Sequence, residues 1–419
     1  MRQKIHAAVF YYGLLLLAVA IPFRPSLVNI LIIVLSANWL LEGDYARKFQ
    51  LIRQRPFILL FVGFYLLHVV GLLYSANADA GWFNLEKKLT LLIFPLVIGA
   101  SVHGVDRKWL NRILASFVAA AILYSLISIG HGLYSWNADG TTTYLFGEEL
   151  TSWGGLQSIY FGIYVSFAAG VLITWLLTFG LTRMQMFFVI SAIAYFFVFM
   201  LIMSARMGAL SFGLIVGIGG FYYALRNGIL KWFFTAAIVL AAIGTAIVFK
   251  VDYLRERITS LIETKFYFDP EENNANGLTL RLVKWQCSLE GISSSPVIGV
   301  GTGDMQDVLQ VCYNEKNFWG RVYEFNSHDQ YLQTALGLGI IGMLWLLACL
   351  FWMARAAFIT KDYLTICFVL SIAMAFLTES VLERKQGVVF YAFFGALLMM
   401  YNASQKQQKL SPSPASKDR

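Results

Sequence analysis

Long apolar runs alternate with short polar segments along almost the whole chain. The runs are roughly 17 to 25 residues long, the length that an α-helix needs to cross the apolar core of a bilayer. We predict twelve membrane helices, near residues 7–23, 26–41, 57–74, 89–102, 113–134, 156–181, 186–204, 208–225, 229–249, 329–353, 363–380 and 387–402. The fourth is short, and the seventh and eighth are separated only by the stretch 204–208. The pattern predicts an all-α polytopic membrane protein.

Two polar segments interrupt the runs. Residues 135–155 are acidic and aromatic, whereas the segment between the ninth and tenth helices is long enough to form a small domain of its own. That segment contains a turn at 269–274 and a predicted helix near 278–292. The predicted domains are 1–250 with nine membrane helices, 251–327 as the loop domain, 328–402 with three helices, and 403–419 as a disordered tail.

Composition agrees with this pattern. Hydrophobic residues make up 58% of the chain and charged residues 13%, with a mean hydropathy of +0.65, which excludes an ordinary soluble domain. Most of the basic excess behind the net charge of +8 indicates how the chain is oriented in the membrane. With the N-terminus in the cytoplasm, about 18 lysines and arginines lie on that side and about 6 on the short segments opposite. We therefore expect both termini in the cytoplasm, both polar segments outside, and no nucleic-acid partner.

The N-terminus is similar to a secretory signal, since Arg2 and Lys4 precede an apolar run that ends at Ala18-Val19-Ala20. We interpret it instead as the first membrane helix, because the run continues to Phe23 and a second span follows almost at once.

The four cysteines form two groups. Cys349 and Cys367 fall inside apolar runs and are expected to be inert core residues. Cys287 and Cys312 lie in the long loop, where an extracytoplasmic location would allow them to form a disulfide. Their sequence positions alone do not place their Cα atoms within bonding reach.

Two arginines at the outer rim are candidates for binding phosphate. Arg206 ends the seventh span, and Arg281 opens the stretch RLVKWQCSLE with Lys284 and Trp285 close by. Charges at membrane depth are costly and usually functional, and the planar guanidinium donates two hydrogen bonds to two phosphate oxygens. Alternatively, Arg206 extends to the interface as an ordinary snorkelling side chain, and Arg281 belongs to an interfacial helix.

Other charged residues gather on the same side. Lys87 and Lys88 follow Glu86, which is their simplest ion-pair partner. Glu379, Glu383 and Arg384 follow the eleventh span, where the simplest expectation is a local ion-pair network.

Neither a nucleotide site nor a metal site is predicted. The stretch GVGTG (299–303) lacks the flanking strand and helix of a phosphate-binding loop, and we interpret it as a tight turn with outward-facing amides. Asp304 and Asp307 stand without other ligand-type neighbours in a metal-binding spacing. We predict no metal and no other cofactor.

His328 is the leading candidate for catalysis. It ends the long polar segment, and on a helix it shares a face with Tyr331, Gly339 and Gly342. The two glycines would allow a neighbouring helix to approach closely. A neutral imidazole at the membrane rim can accept a proton from a hydroxyl group, and two arginines can offset the charge of a departing diphosphate.

These residues resemble a known family. His328-Asp329, nine further residues, and Gly339-x-x-Gly342 are similar to the His-[Asn/Ser/Gln]-x9-Gly-x-x-Gly signature of O-antigen ligases. Ser204-x-Arg206 and Arg281-x3-Trp285, followed by Pro296 and Gly299-x-Gly301, also resemble that family. The helix plan and the long loop extend the resemblance over nearly the whole chain.

The resemblance implies a GT-C-like membrane glycosyltransferase of the bacterial inner membrane that takes part in lipopolysaccharide biosynthesis. Such a ligase moves a polysaccharide from undecaprenyl diphosphate to a sugar hydroxyl of lipid A-core on the periplasmic face, with inversion and without a metal. His328 would be the base, and Arg206 and Arg281 would bind the diphosphate. Residues expected to support them are Asp329, Lys88, Glu379 and Arg384.

One residue departs from the signature. Position 329 is Asp where the signature has an amide or hydroxyl side chain, and an acidic neighbour would either raise the pKa of His328 or orient its ring.

Three alternative functions stay open. The family grades into O-antigen polymerases and protein O-oligosaccharyltransferases, which leaves the acceptor less certain than the donor. A transporter or flippase for lipid-linked glycans is a third reading, although no internal repeat is apparent in the sequence.

Overall fold

The computed structural model describes residues 1–252, 255–256, 259, 277–318 and 322–410. Within these ranges the regular structure is helical and no strand is present. The predicted turn at 269–274 and residues 411–419 of the predicted tail lie outside the described residues.

The first half contains α1 Arg2–Ala20, α2 Pro25–Glu42, α3 Tyr45–Gln54, α4 Pro56–Leu73, α5 Ala78–Lys88, α6 Thr90–Phe94, α7 Arg107–Asp139, α8 Ser158–Thr178, α9 Arg183–Met203, α10 Arg206–Arg226 and α11 Leu230–Lys250. Most of these helices follow predicted runs, whereas α3 and α5 correspond to no predicted helix. The second half contains α12 Gly277–Ser294, α13 Met305–Glu315, α14 Gln330–Thr360, α15 Tyr363–Phe376 and α16 Lys385–Leu410. The last helix therefore continues through residues 403–410, which the sequence placed in a disordered tail.

Ten of the described helices are long and apolar enough to cross a membrane. The predicted fourth span is instead the short α6 followed by a π-helical turn, Pro95–Gly99, and the predicted eleventh span is the 14-residue α15. The chain is thus an all-helical, multi-pass membrane protein, and a count of twelve crossings stays a prediction.

The centre of the bundle is formed by α8 and α16. Within their most apolar 18-residue windows, 83% and 89% of the residues are buried, against 6% for α11 at the periphery. Aromatic rings fill the space between the two central helices, with Phe117, Phe167, Phe390 and Phe394 in mutual contact. This packing holds the ends of α8 and α16 together, and the candidate site lies beside those ends.

A small second core lies outside the bundle between α12 and α13. Cys287 and Cys312 form a disulfide with their Cα atoms 5.6 Å apart, which confirms the pairing that the sequence allowed. Buried residues around it include Val283, Leu309 and Tyr313. Cys349 and Cys367 are free cysteines inside the bundle.

The glycine-rich stretch 299–303 is a structural joint. Its amides donate inward: Val300 and Gly301 bond to the carbonyls of Leu336 and Gly337. Those of Thr302 and Gly303 bond to the Gly71 carbonyl and the Ser75 hydroxyl. The expectation of outward-facing amides is therefore wrong, because every one of these four groups has a partner within the protein.

The same joint breaks α14. Gly339 has φ +63°, so the helix is interrupted there, and the amides of Ile340 and Ile341 bond to the carbonyls of Pro296 and Val297. A Cβ atom on Gly339 would collide with the Val297 carbonyl. The expected role of Gly339 in helix–helix packing is thus wrong, since the close neighbour is the loop backbone and a left-handed φ suits glycine.

Candidate active site

A cleft of about 490 Å³ opens where α8, α14 and the segment 377–384 meet. Its lining includes His328, Glu379, Arg384, Phe325 and Asn326. His328 and two of the predicted supporting residues therefore face one cavity.

The turn before α14 fixes the backbone of His328. The residue has φ +47°, an unusual conformation outside glycine, and its amide donates to Asn326 Oδ1 at 3.0 Å. The neighbouring Ser327 amide donates to Gln333 Oε1 at 3.0 Å, and the Ser288 hydroxyl donates to the Ser327 hydroxyl at 2.7 Å. The backbone that carries His328 is consequently held by both α12 and α14.

Glu379 is the partner of the His328 ring. The carboxylate Oε2 lies 3.1 Å from Nδ1, and the side chains are 7% and 24% exposed, so the carboxylate is buried behind a ring that solvent can reach. The Tyr160 hydroxyl lies 3.5 Å from the other carboxylate oxygen. Burial alone would raise the pKa of Glu379, but the hydrogen bond and charge of His328, with the charges of Arg281 and Lys284, bring the pKa below its ordinary value.

Asp329 caps the helix that follows His328. Its carboxylate is the N-cap of α14 and accepts the Leu332 amide at 2.8 Å. Burial raises the pKa of this carboxyl, opposed by hydrogen bonds from the Leu332 and Tyr331 amides. Asn, Asp and Ser are the preferred N-caps, so Asp meets the same structural need as the Asn or Ser of the signature. The role that the structure shows for Asp329 is this capping role.

Arg281 and Lys284 approach the site from α12. Both charges act on Glu379, and the Lys284 ammonium lies 3.6 Å from the centre of the Phe325 ring. That ring in turn packs edge-on against the imidazole of His328, with centroids 5.8 Å apart. Burial, followed by the charge of Arg281, lowers the pKa of Lys284 to about 7, while Glu379 opposes the shift.

Arg206 begins α10 two residues after Ser204, the C-cap of α9, which has the left-handed conformation. The start of α10 packs closely on α8, where Gly208 and Gly162 meet backbone to backbone. Neither Arg206 nor Arg281 lines the cleft that contains His328. The structure thus connects Arg281 to the His328–Glu379 pair electrostatically and places Arg206 on the helix beside α8.

Lys88 forms a buried ion pair with Glu383 across 2.6 Å, with side-chain exposures of 0% and 8%. The expectation that it pairs with Glu86 is wrong, and the expected local network of Glu379, Glu383 and Arg384 is replaced by two longer-range pairs. Gln330 secures the same segment, because its side-chain oxygen accepts the Leu382 amide at 2.7 Å. The segment that bears Glu379 is therefore anchored on α5 and on α14.

The sequence reasoning missed four residues that support the site: Tyr160, Gln330, Gln333 and, as a partner of Phe325, Lys284. The polar glutamines within the first turn of an apolar helix were a usable signal, since a buried amide needs partners. Nothing local marked Tyr160, which reaches Glu379 across 219 positions.

The arrangement suits proton abstraction. When Nδ1–H of neutral His328 donates to Glu379, the lone pair on Nε2 is left to accept a proton. The carboxylate also stabilises the imidazolium that results. An imidazole oriented by a carboxylate in this way has the geometry of a general base.

Comparison with known proteins indicates the family to which this candidate site is similar. Among curated proteins, none matches the chain significantly. Residues 157–347, which include Arg206, Arg281 and His328, match the family model described as O-Antigen ligase. The match confirms the resemblance drawn from the motifs, and it makes the segment 157–347, somewhat under half of the chain, similar to the O-antigen ligase family.

Proposed function

We propose that the protein transfers a polysaccharide, the O-antigen, from undecaprenyl diphosphate to a sugar hydroxyl of lipid A-core. The family supports a lipid-linked glycan and a membrane glycosyltransferase-like enzyme. The donor, the acceptor and the inverting, metal-independent course of the reaction are part of the proposal.

The His328–Glu379 pair at the wall of an open cleft is the observation that carries it. Nε2 of His328 takes the proton of the acceptor hydroxyl as that oxygen attacks the anomeric carbon of the donor sugar. The bond from this carbon to the diphosphate oxygen breaks, and the diphosphate leaves with the electron pair. Attack from the face opposite the leaving group inverts the anomeric carbon.

Arg206 and Arg281 neutralise the departing diphosphate in this scheme. Arg281 has the stronger structural support, because its charge already acts on Glu379 beside the base. Fixed cations stabilise a leaving group whose charge grows in the transition state.

The proposed orientation puts the cleft in the periplasm of a bacterial inner-membrane protein, with both termini in the cytoplasm. The Cys287–Cys312 disulfide beside the site supports it, because such bonds persist in oxidising compartments. The distribution of lysine and arginine favours the same orientation.

A deletion strain tests the function. We expect lipopolysaccharide without long O-chains and an accumulation of lipid-linked polymer, both restored by the intact gene. Accumulation of single lipid-linked repeats would instead show a polymerase, and loss of glycans from proteins with intact lipopolysaccharide would show a protein glycosyltransferase. Loss of long O-chains with the lipid-linked glycan retained on the cytoplasmic side would show a transporter.

A further inference from the structure

A second cleft, of about 670 Å³, opens beside the first. The two clefts share the wall residues Gly155, Gln157, Glu324, Asn326 and Arg384. A ligand that fills the second cleft can therefore extend along this wall to His328.

The lining of the second cleft is rich in carboxamides, namely Asn84, Gln157, Gln306, Asn326, Gln333 and Gln386. Several of these side chains are fixed, since the amide nitrogens of Asn84 and Gln386 donate to the carbonyls of Thr302 and Gly155 at 2.9 and 2.6 Å. Fixed carboxamides present acceptors and donors in set directions, which suits the hydroxyl groups of a glycan.

Positive charge collects in the same cleft. Lys87 of α5 lines it together with Arg384 and Lys385 at the start of α16, and Lys87 is subject to the attractive charge of Glu383 and to the repulsive charges of Lys88 and Arg384. Like charges at short range repel, and an anion held between them removes that repulsion.

Carboxylates in the cleft do not cancel this charge entirely. Glu383 forms an ion pair with the buried Lys88 while its charge also acts on Lys87, and Glu324 belongs to the wall shared with the first cleft. Glu86, an exposed neighbour of Lys87 on α5, is the other acidic residue of the lining.

We propose that this second cleft is the acceptor subsite and that it selects a glycan with an anionic substituent, phosphate or carboxylate, bound by Lys87, Arg384 and Lys385. The proposal rests on the proposed function for the identity of the second substrate. The carboxamides hold the sugar hydroxyls, and the anionic group sets how far the chain reaches along the shared wall, so that one hydroxyl lies at His328.

The test uses the purified full-length protein in lipid nanodiscs, with lipid A-core as acceptor at saturating donor. Lys87→Gln and Lys385→Gln should each raise the acceptor KM about tenfold, the effect of losing one charge-assisted hydrogen bond, while the donor KM stays within twofold. The control is Lys316→Gln, because Lys316 pairs with Glu290 away from both clefts and should leave both constants unchanged.

Chemically altered acceptors identify the anion. Removal of phosphate, or reduction of carboxyl groups, should raise the wild-type KM to that of the variants in one of the two cases. An unchanged acceptor KM in both lysine variants, or an equal rise in the donor KM, would overturn the proposal. Binding of the acceptor, measured without donor, separates the acceptor subsite from the proposed function. Binding that depends on the two lysines, without any transfer, would refute the proposed function alone.

Discussion

The Nδ1 atom of His328 lies 3.1 Å from a carboxylate oxygen of Glu379, although 51 positions separate the two residues. His328 stands before α14 and Glu379 after α15, so the packing of these two helices sets the distance. A carboxylate at this distance can fix the tautomer and orientation of the imidazole, as the proposed role of His328 as a base requires.

Replacing Glu379 by Gln should therefore lower kcat by at least about 100-fold, the usual contribution of an assisted proton transfer. The amide fills the same volume but does not stabilise the imidazolium. Transfer rates of purified protein at saturating substrates measure the effect. The control is Glu315→Gln at the exposed end of α13, and equal rates for the two variants would remove Glu379 from the mechanism.

Asp329 should tolerate exchange for another N-cap. Asp329→Asn should keep both melting temperature and transfer rate near those of the wild type, whereas Asp329→Ala should cost about 1 kcal/mol of the free energy of unfolding. A large loss of activity in the Asn variant with an unchanged melting temperature would show instead that the negative charge itself serves catalysis.

Gly339→Ala should destabilise the protein by at least about 2 kcal/mol, because a left-handed φ and a collision with the Val297 carbonyl add together. Gly213→Ala in α10 is the matched control, since a Cβ atom there meets nothing within 4 Å. Melting temperatures in detergent compare the two. Equal melting temperatures would mean that the joint between α14 and the glycine-rich stretch is not rigid.

Lys284 should make stability depend on pH. Its pKa is about 7 in the folded protein and about 10.4 when unfolded, so between these values the unfolded chain binds more protons. The free energy of unfolding then rises with pH over this window, by at most about 1.4 kcal/mol per unit from this group. Lys284→Met should lose that component. Melting temperatures that change equally with pH in both proteins from pH 7 to 9 would contradict the prediction.

The positions of the helices and of His328 could be predicted from the sequence, because a span needs a long apolar run and the motif lies directly before one. That Glu379 is the partner of His328 could not be predicted from the sequence. Glu379 was visible as a charge at the outer rim, but its contact with the imidazole depends on how α14 and α15 pack. Gly339 was misread because a continuous helix was assumed, although Gly337-x-Gly339 repeats the spacing of Gly299-x-Gly301, against which it docks.

Single-turnover transfer by purified His328→Ala protein tests the central claim most directly. The proposed mechanism predicts that donor binding is retained and that transfer to the acceptor is lost, since Nε2 is the only group assigned to take the proton. Undiminished transfer by this variant would contradict the assignment of His328 as the base.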